Sequence, residues 1–222
     1  MAAERILYSG GAPGADRQFG TLAELCGFSE RNYSFEGHIE CRQRGRVILT
    51  PEELAEADVD LQEVLGDAFT RAAQASDKSL RYWRRNWYQV RMTRQIFAVL
   101  DDRTFLDFTK QPPDSAGTAI ALALKMNTCE KVCVYLQADF QSGWLEWQRG
   151  RAQSRETVSI ASSKEALGQR QECLVPFRTM EAGDVKIDPG DFTGIGTRRI
   201  NEAGEKAIKS LYARSFPESW RA

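Results

Sequence analysis

Between Tyr8 and Asp16 the chain reads Tyr-Ser-Gly-Gly-Ala-Pro-Gly-Ala-Asp, a glycine-rich turn after the apolar pair Ile6-Leu7 and before a helix-like stretch from Arg17. Such residues handle phosphates by geometry: glycines let backbone N–H groups approach an anion, and the following helix N-terminus adds partial positive charge. Ser9, Gly10, Gly11 and Gly14 are therefore candidate ligand contacts. The same residues also suit a tight βα connection that binds nothing. Spacing leaves both readings open, because no lysine follows as in a P-loop and the G-x-G-x-x-G register is absent.

Two other glycine-bearing turns echo the first. Ser115, Gly117 and Thr118 open a helix after Pro112-Pro113-Asp114, where a hydroxyl and free N–H groups either hold an anion or simply cap the helix. Phe192-Thr193-Gly194-Ile195-Gly196-Thr197-Arg198 precedes a helix over 201–214 with Ala203, Ala207, Ile208, Leu211 and Tyr212 inward. The only histidine, His38, lies in a Glu36-Gly37-His38 loop, where it either meets a base or is incidental.

The elements that must position these residues alternate. Strand 5–9, helix 16–26 with Phe19, Leu22, Ala23 and Cys26 inward, and a short strand 32–35 come first. Thr50-Pro51-Glu52-Glu53 has the pattern of a capping box, so a helix starts at Pro51; it continues through Leu61, Val64, Leu65 and Ala68 unless 58–60 breaks it. A helix over about 77–95 carries an apolar stripe of Leu80, Trp83, Trp87 and Val90, and its arginines read as a solvated face. Apolar runs at 95–100 and 131–136, with a helix over 119–126 between them, predict a βαβ crossover in a parallel sheet. Residues 148–172 are polar and read as a surface excursion, followed by a strand over 173–177; Trp144 and Trp147 read as core and pocket wall.

Composition narrows the class. With 222 residues, 42% of them hydrophobic, the chain supports one core and a single domain over 1–222. A net charge of -1 gives no global field for nucleic acid or anionic membrane, so any anion site is local. No signal-peptide core or bilayer-length apolar run is evident, which predicts a cytoplasmic protein with no membrane partner. The five cysteines, Cys26, Cys41, Cys129, Cys133 and Cys173, lack paired C-x-x-C spacing, so neither a disulfide framework nor a metal site is expected.

The Ser9–Asp16 turn, Arg85-Asn86-Trp87-Tyr88-Gln89-Val90, the Ser115–Thr118 helix start and Thr193–Arg198 together resemble the SLOG superfamily. These are Rossmann-like domains related to the DNA-processing protein DprA and the LOG cytokinin-activating enzymes, and they include molybdenum cofactor carrier-like proteins. The resemblance spans most of the chain except 148–172. In common members the G-x-G-[ST]-R unit comes first, whereas here it is C-terminal, which implies a circular permutation. The expected fold is a Rossmann-like α/β parallel sheet with helices on both faces, its C-terminal βα unit (191–214) lying beside the N-terminal strand in cis.

The resemblance further implies a nucleotide-like ligand at the carboxyl ends of the strands. Gly10, Gly11, Gly14, Gly117, Thr118, Gly194, Gly196 and Thr197 would contact phosphates, with Arg198 or Arg85 as charged partner. Asp16 would cap its helix or bind a ribose hydroxyl. LOG enzymes place a glutamate after the Gly-Thr helix start, but Ala119, Ile120, Ala121 and Leu122 stand there. Binding or sensing is thus the first expectation, with no fixed cofactor. Nucleotide N-glycosidase or phosphoribohydrolase activity is the second, with Asp16, Glu36, Asp101 or Arg85 as catalytic candidates. A molybdenum cofactor carrier and a DNA-binding protein using Arg42, Arg44, Arg46 and the arginines of the 77–95 helix (Arg81, Arg84, Arg85, Arg91 and Arg94) follow, and homodimer formation stays open.

Overall fold

The computed structural model describes residues 4–75, 78–101, 115–126, 128–138, 143–149, 157–161, 172–181 and 183–220, with backbone alone at 115, 157–161 and 172–176. The strands are β1 (Ile6–Ser9), β2 (Ser29–Phe35), β3 (Arg46–Leu49), β4 (Gln95–Leu100), β5 (Lys131–Leu136), β6 (Trp144–Gln148), β7 (Thr157–Ala161), β8 (Glu172–Pro176), β9 (Arg178–Met180) and β10 (Phe192–Gly196). The helices are α1 (Ala15–Leu25), α2 (Pro51–Ala55), α3 (Asp58–Leu65), α4 (Asp67–Gln74), α5 (Lys78–Val90), α6 (Ser115–Lys125), α7 (Glu202–Ser215) and α8 (Pro217–Trp220).

Eight strands form one sheet in the order β3-β2-β1-β10-β4-β5-β6-β9. Pairing is parallel from β3 to β5 and antiparallel at β6 and β9. Period-2 alternation sorts the central side chains onto two faces. Ile96, Ala98 and Leu100 of β4 with Val132 and Val134 of β5 meet α3 to α6, while Phe97, Val99 and Cys133 meet α1 and α7. The architecture is the expected Rossmann-like α/β sheet with helices on both faces. β10 enters between β1 and β4, pairing Leu7 with Phe192 and Thr193 with Ile96.

The capping box at Thr50 forms as its spacing predicts: Thr50 Oγ1 accepts from Glu53 N, and Glu53 Oε2 accepts from Thr50 N. The helix it opens is then broken. α2 ends at Ala55, α3 starts at Asp58, and Gly66, at φ 52°, ends α3 and begins α4. The helix expected to run to Gln95 stops at Val90; Gln95 opens β4, and the Arg94 carbonyl accepts from Glu130 N and Lys131 N. Within 148–172, β7 pairs antiparallel with β8, so the span is not wholly without regular structure. The predicted loop at 112–114 lies outside the described residues. Trp144 is core, packed edge-on against Phe97. No helix among the described residues is long and apolar enough to cross a membrane.

Candidate functional site

Parallel strands end together, so the turns after β1, β10 and β4 share one edge of the sheet. Asp16 joins two of them. It sits at the start of α1, 4% exposed; its Oδ2 accepts from Gly10 N at 3.2 Å and its Oδ1 from Gly196 N at 3.1 Å. Asp16 therefore does not cap its own helix, whose N-cap position is Gly14 without a side-chain bond. It clasps the β1 turn to the β10 turn, residues 180 positions apart. Burial pushes its carboxyl up, while Arg85 and the amides of Gly10, Ala12 and Gly196 pull it back.

Gly14 holds the second half of this clasp. At φ 84° it takes a conformation that side chains disfavour, and a Cβ there would stand 2.3 Å from the Thr197 carbonyl. That carbonyl accepts from Ala15 N at 3.0 Å. Gly11 N in turn reaches Ser9 Oγ at 3.5 Å, so the amides of Gly10, Gly11 and Ala15 already have protein partners. Gly194 serves packing, since the Phe19 ring covers it.

Arg85 departs most from expectation. Instead of joining the solvated face of α5 it is 3% exposed, with its guanidinium against the bare Cα of Gly10. Its Nη1 donates to Gln89 Oε1 at 2.7 Å, and its Nε is buried without a partner. Desolvation lowers its pKa, and the neighbouring Asp16 opposes the shift. By contrast Arg84, Arg91 and Arg94 pair with Asp58, Glu56 and Glu130. Arg42 pairs with Glu24 and Glu30, Arg44 with Glu24, and Arg46 with Glu40. The arginines considered for nucleic acid are thus largely neutralised within the chain.

Arg85 forms part of a cavity of about 530 Å³, with Asp16, Gln89, Tyr82, Asp101 and Arg198 in its wall. Arg198 and Arg199 are exposed, Arg198 lies over the Tyr82 ring, and no carboxylate among the described residues pairs with either arginine. Asp101, at the end of β4, is fixed by Gln137 Nε2 at 2.5 Å and Thr197 Oγ1 at 3.1 Å. Ala116 and Ala119 bring the first turns of α6 to the cavity, while Gly117 and Thr118 are buried and take no part in its lining. Of the predicted site residues, Asp16, Arg85, Asp101, Gly196, Thr197 and Arg198 converge here. Glu36 is exposed and outside it.

His38 is buried behind Tyr82 rather than open to a ligand. Its Nδ1 is 3.0 Å from Ser34 Oγ, its ring stacks on Phe35, and its Nε2 lacks a partner. Burial first, then Arg85, Arg198 and Arg46, push its pKa from 6.5 down to about 4. The native state thus binds fewer protons than the unfolded chain between those values. His38 favours folding fully above pH 6.5 and progressively less as pH falls toward 4, a loss on the order of 3 kcal/mol. Urea midpoints of the wild type should therefore drop more steeply on acidification than those of His38→Gln; parallel slopes would refute the buried neutral imidazole.

Asn32 Oδ1, His38 Nε2, Glu40 Oε2, Arg85 Nε and Gln89 Nε2 are all buried without a hydrogen-bond partner, Glu40 Oε2 lying 3.4 Å from His38 Nδ1. Such groups ordinarily find a ligand, an ion or a water. No cluster that would hold a metal occurs among the described residues. Cys26, Cys41, Cys129 and Cys133 are free thiols, and burial pushes Cys129 up to about 12. Asp16, Arg85, Gln89, Gly196, Thr197 and Arg198 all lie in the motifs that carry the sequence resemblance. Tyr82 carried no sequence signal beyond helix α5 itself.

The fold defines an α/β protein with a polar cavity at the carboxyl edge of a parallel sheet. Comparison with protein-family models, curated proteins and solved structures found no match to this chain.

Proposed function

We propose that this cavity binds a nucleotide or a nucleotide-derived phosphate. The observation that carries the reading is Arg85, a buried guanidinium with an unpartnered Nε. Two unpaired arginines among the described residues, Arg198 and Arg199, stand at the rim of the same cavity. A guanidinium fork matches phosphate oxygens bidentately, and a carboxylate fixed as Asp101 is suits a sugar hydroxyl. Since the amides of Gly10, Gly11 and Ala15 are occupied, phosphate recognition falls to the arginines rather than to the glycine turn. A ligand held in this way would lie outside the carboxyl ends of the strands, where open α/β sheets hold theirs. The resemblance of the sequence motifs to the SLOG superfamily implies the same ligand class.

A second reading, N-glycosidic hydrolysis, draws on Asp101, among the described residues the cavity carboxylate not committed to backbone amides. Calorimetry and thermal melting with AMP, ADP-ribose and unphosphorylated adenosine separate these cases. A ligand at 100 times its Kd stabilises by about 2.7 kcal/mol. AMP or ADP-ribose should raise the melting temperature, adenosine should not, and Arg198→Ala, at an exposed position, should weaken binding about tenfold. Equal binding of adenosine and AMP, or no binding of either phosphate, would overturn the proposal. Release of free base, abolished in Asp101→Asn, would establish the second reading.

A further inference from the structure

On the other face of the sheet, α7 and the ends of β5 and β6 enclose a groove of about 620 Å³. Lys206, Ser210 and Arg214 follow one another at four-residue spacing, so they lie along one face of α7, and all three line the groove. Tyr135 and Trp144 of the adjoining strands, 8% and 2% exposed, also line it, and Ala203 and Ala207 keep the helix surface low between the longer side chains.

Arg214 is the anomaly in this groove. Its Nε and Nη2 are buried and have no hydrogen-bond partner. Burial lowers its pKa, with no charge among the described residues to offset it. Among the described residues the one carboxylate in the lining, Glu202, is twelve residues away on the same helix, about 18 Å along its axis. Guanidinium N–H groups buried without an acceptor are unfavourable even on a half-buried side chain, and the planar fork is matched by a carboxylate. The aromatic wall suits a flat apolar body.

We infer that this groove is a second binding site, separate from the Arg85 cavity, for a small aromatic carboxylate whose carboxylate meets Arg214 and whose ring lies between α7 and the Tyr135–Trp144 wall. The two sites share no lining residue, so neither depends on the other.

The probe is 2-naphthoate, titrated calorimetrically into the full chain alongside its neutral analogue 2-naphthalenemethanol. One saturable site is expected for the carboxylate, at least about tenfold weaker for the alcohol and about tenfold weaker in Arg214→Gln. Lys206→Ala, at an exposed position, should weaken naphthoate about threefold through lost attraction, while Arg198→Ala should leave it unchanged. The inference is overturned by equal affinity for the two probes, by full affinity in Arg214→Gln, or by no saturation up to about 5 mM. If Arg214→Gln fails to fold, undiminished binding in Lys206→Ala overturns it instead. Naphthoate bound less well by Arg198→Ala would assign it to the first cavity and equally sink this one.

Discussion

Replacing Asp16 by alanine should cost about 3–5 kcal/mol of stability, among the largest losses open to a single polar residue here. The side chain accepts from Gly10 N and Gly196 N in a site that water hardly reaches, and it is the counter-charge beside Arg85. Its removal leaves two amides and a buried cation unanswered at once. Urea unfolding followed by tryptophan fluorescence gives the number directly. The diagnostic result is the double variant: with Arg85→Met the uncompensated charge disappears, so Asp16→Ala should cost about 1–3 kcal/mol less in that background. A single-variant loss below about 1 kcal/mol, or strict additivity, would mean that the clasp is incidental.

The same clasp explains what the sequence disclosed and what it hid. Thr50 to Glu53 was legible because a capping box is closed within four residues. β4 and β5 were legible because strands buried on both faces are continuous apolar runs. β3 was missed because it is an edge strand with Arg46 and Ile48 exposed, and the first half of β2 because Glu30 and Arg31 interrupt the apolar pattern. After Thr50 the first break, between Ala55 and Asp58, falls beside the 58–60 stretch that the sequence offers as a breaker, whereas the second turned on Gly66 at positive φ, a conformation that composition does not reveal.

At the site, a helical wheel assigns Arg85 to the polar face of α5, and that is correct as local geometry. It misleads only because this polar face is covered by Gly10, which is set by the path of another strand. The neutral reading of the arginines held for Arg84, Arg91 and Arg94, which meet carboxylates at half-exposed or exposed positions. Asp16 was ambiguous for a related reason. Its partner Gly196 is fixed by the insertion of β10 between β1 and β4, a long-range pairing that no local window contains.

The two glycines that flank the opening turn should separate folding from binding. Gly14→Ala puts a Cβ 2.3 Å from the Thr197 carbonyl and 2.8 Å from Arg198 Cα, at a φ of 84°. Both neighbours are backbone, so relief requires moving the β10 turn off α1. We expect a loss of about 3 kcal/mol or more, strain at positive φ supplying about 1–2 kcal/mol and overpacking the rest. Gly10→Ala collides instead with the far end of a side chain, Arg85 Nη1 at 1.8 Å, and Gly10 is not at positive φ. The guanidinium can swing away at the expense of its bond to Gln89, so the fold should survive with a loss of about 1–2 kcal/mol. Phosphate-dependent binding should nonetheless fall at least about tenfold, because the cation that carries it has left the cavity floor. Calorimetry with AMP or ADP-ribose on folded Gly10→Ala measures this. Undiminished affinity there would show that Arg85 does not meet the ligand, however well the arginines at the rim attract it.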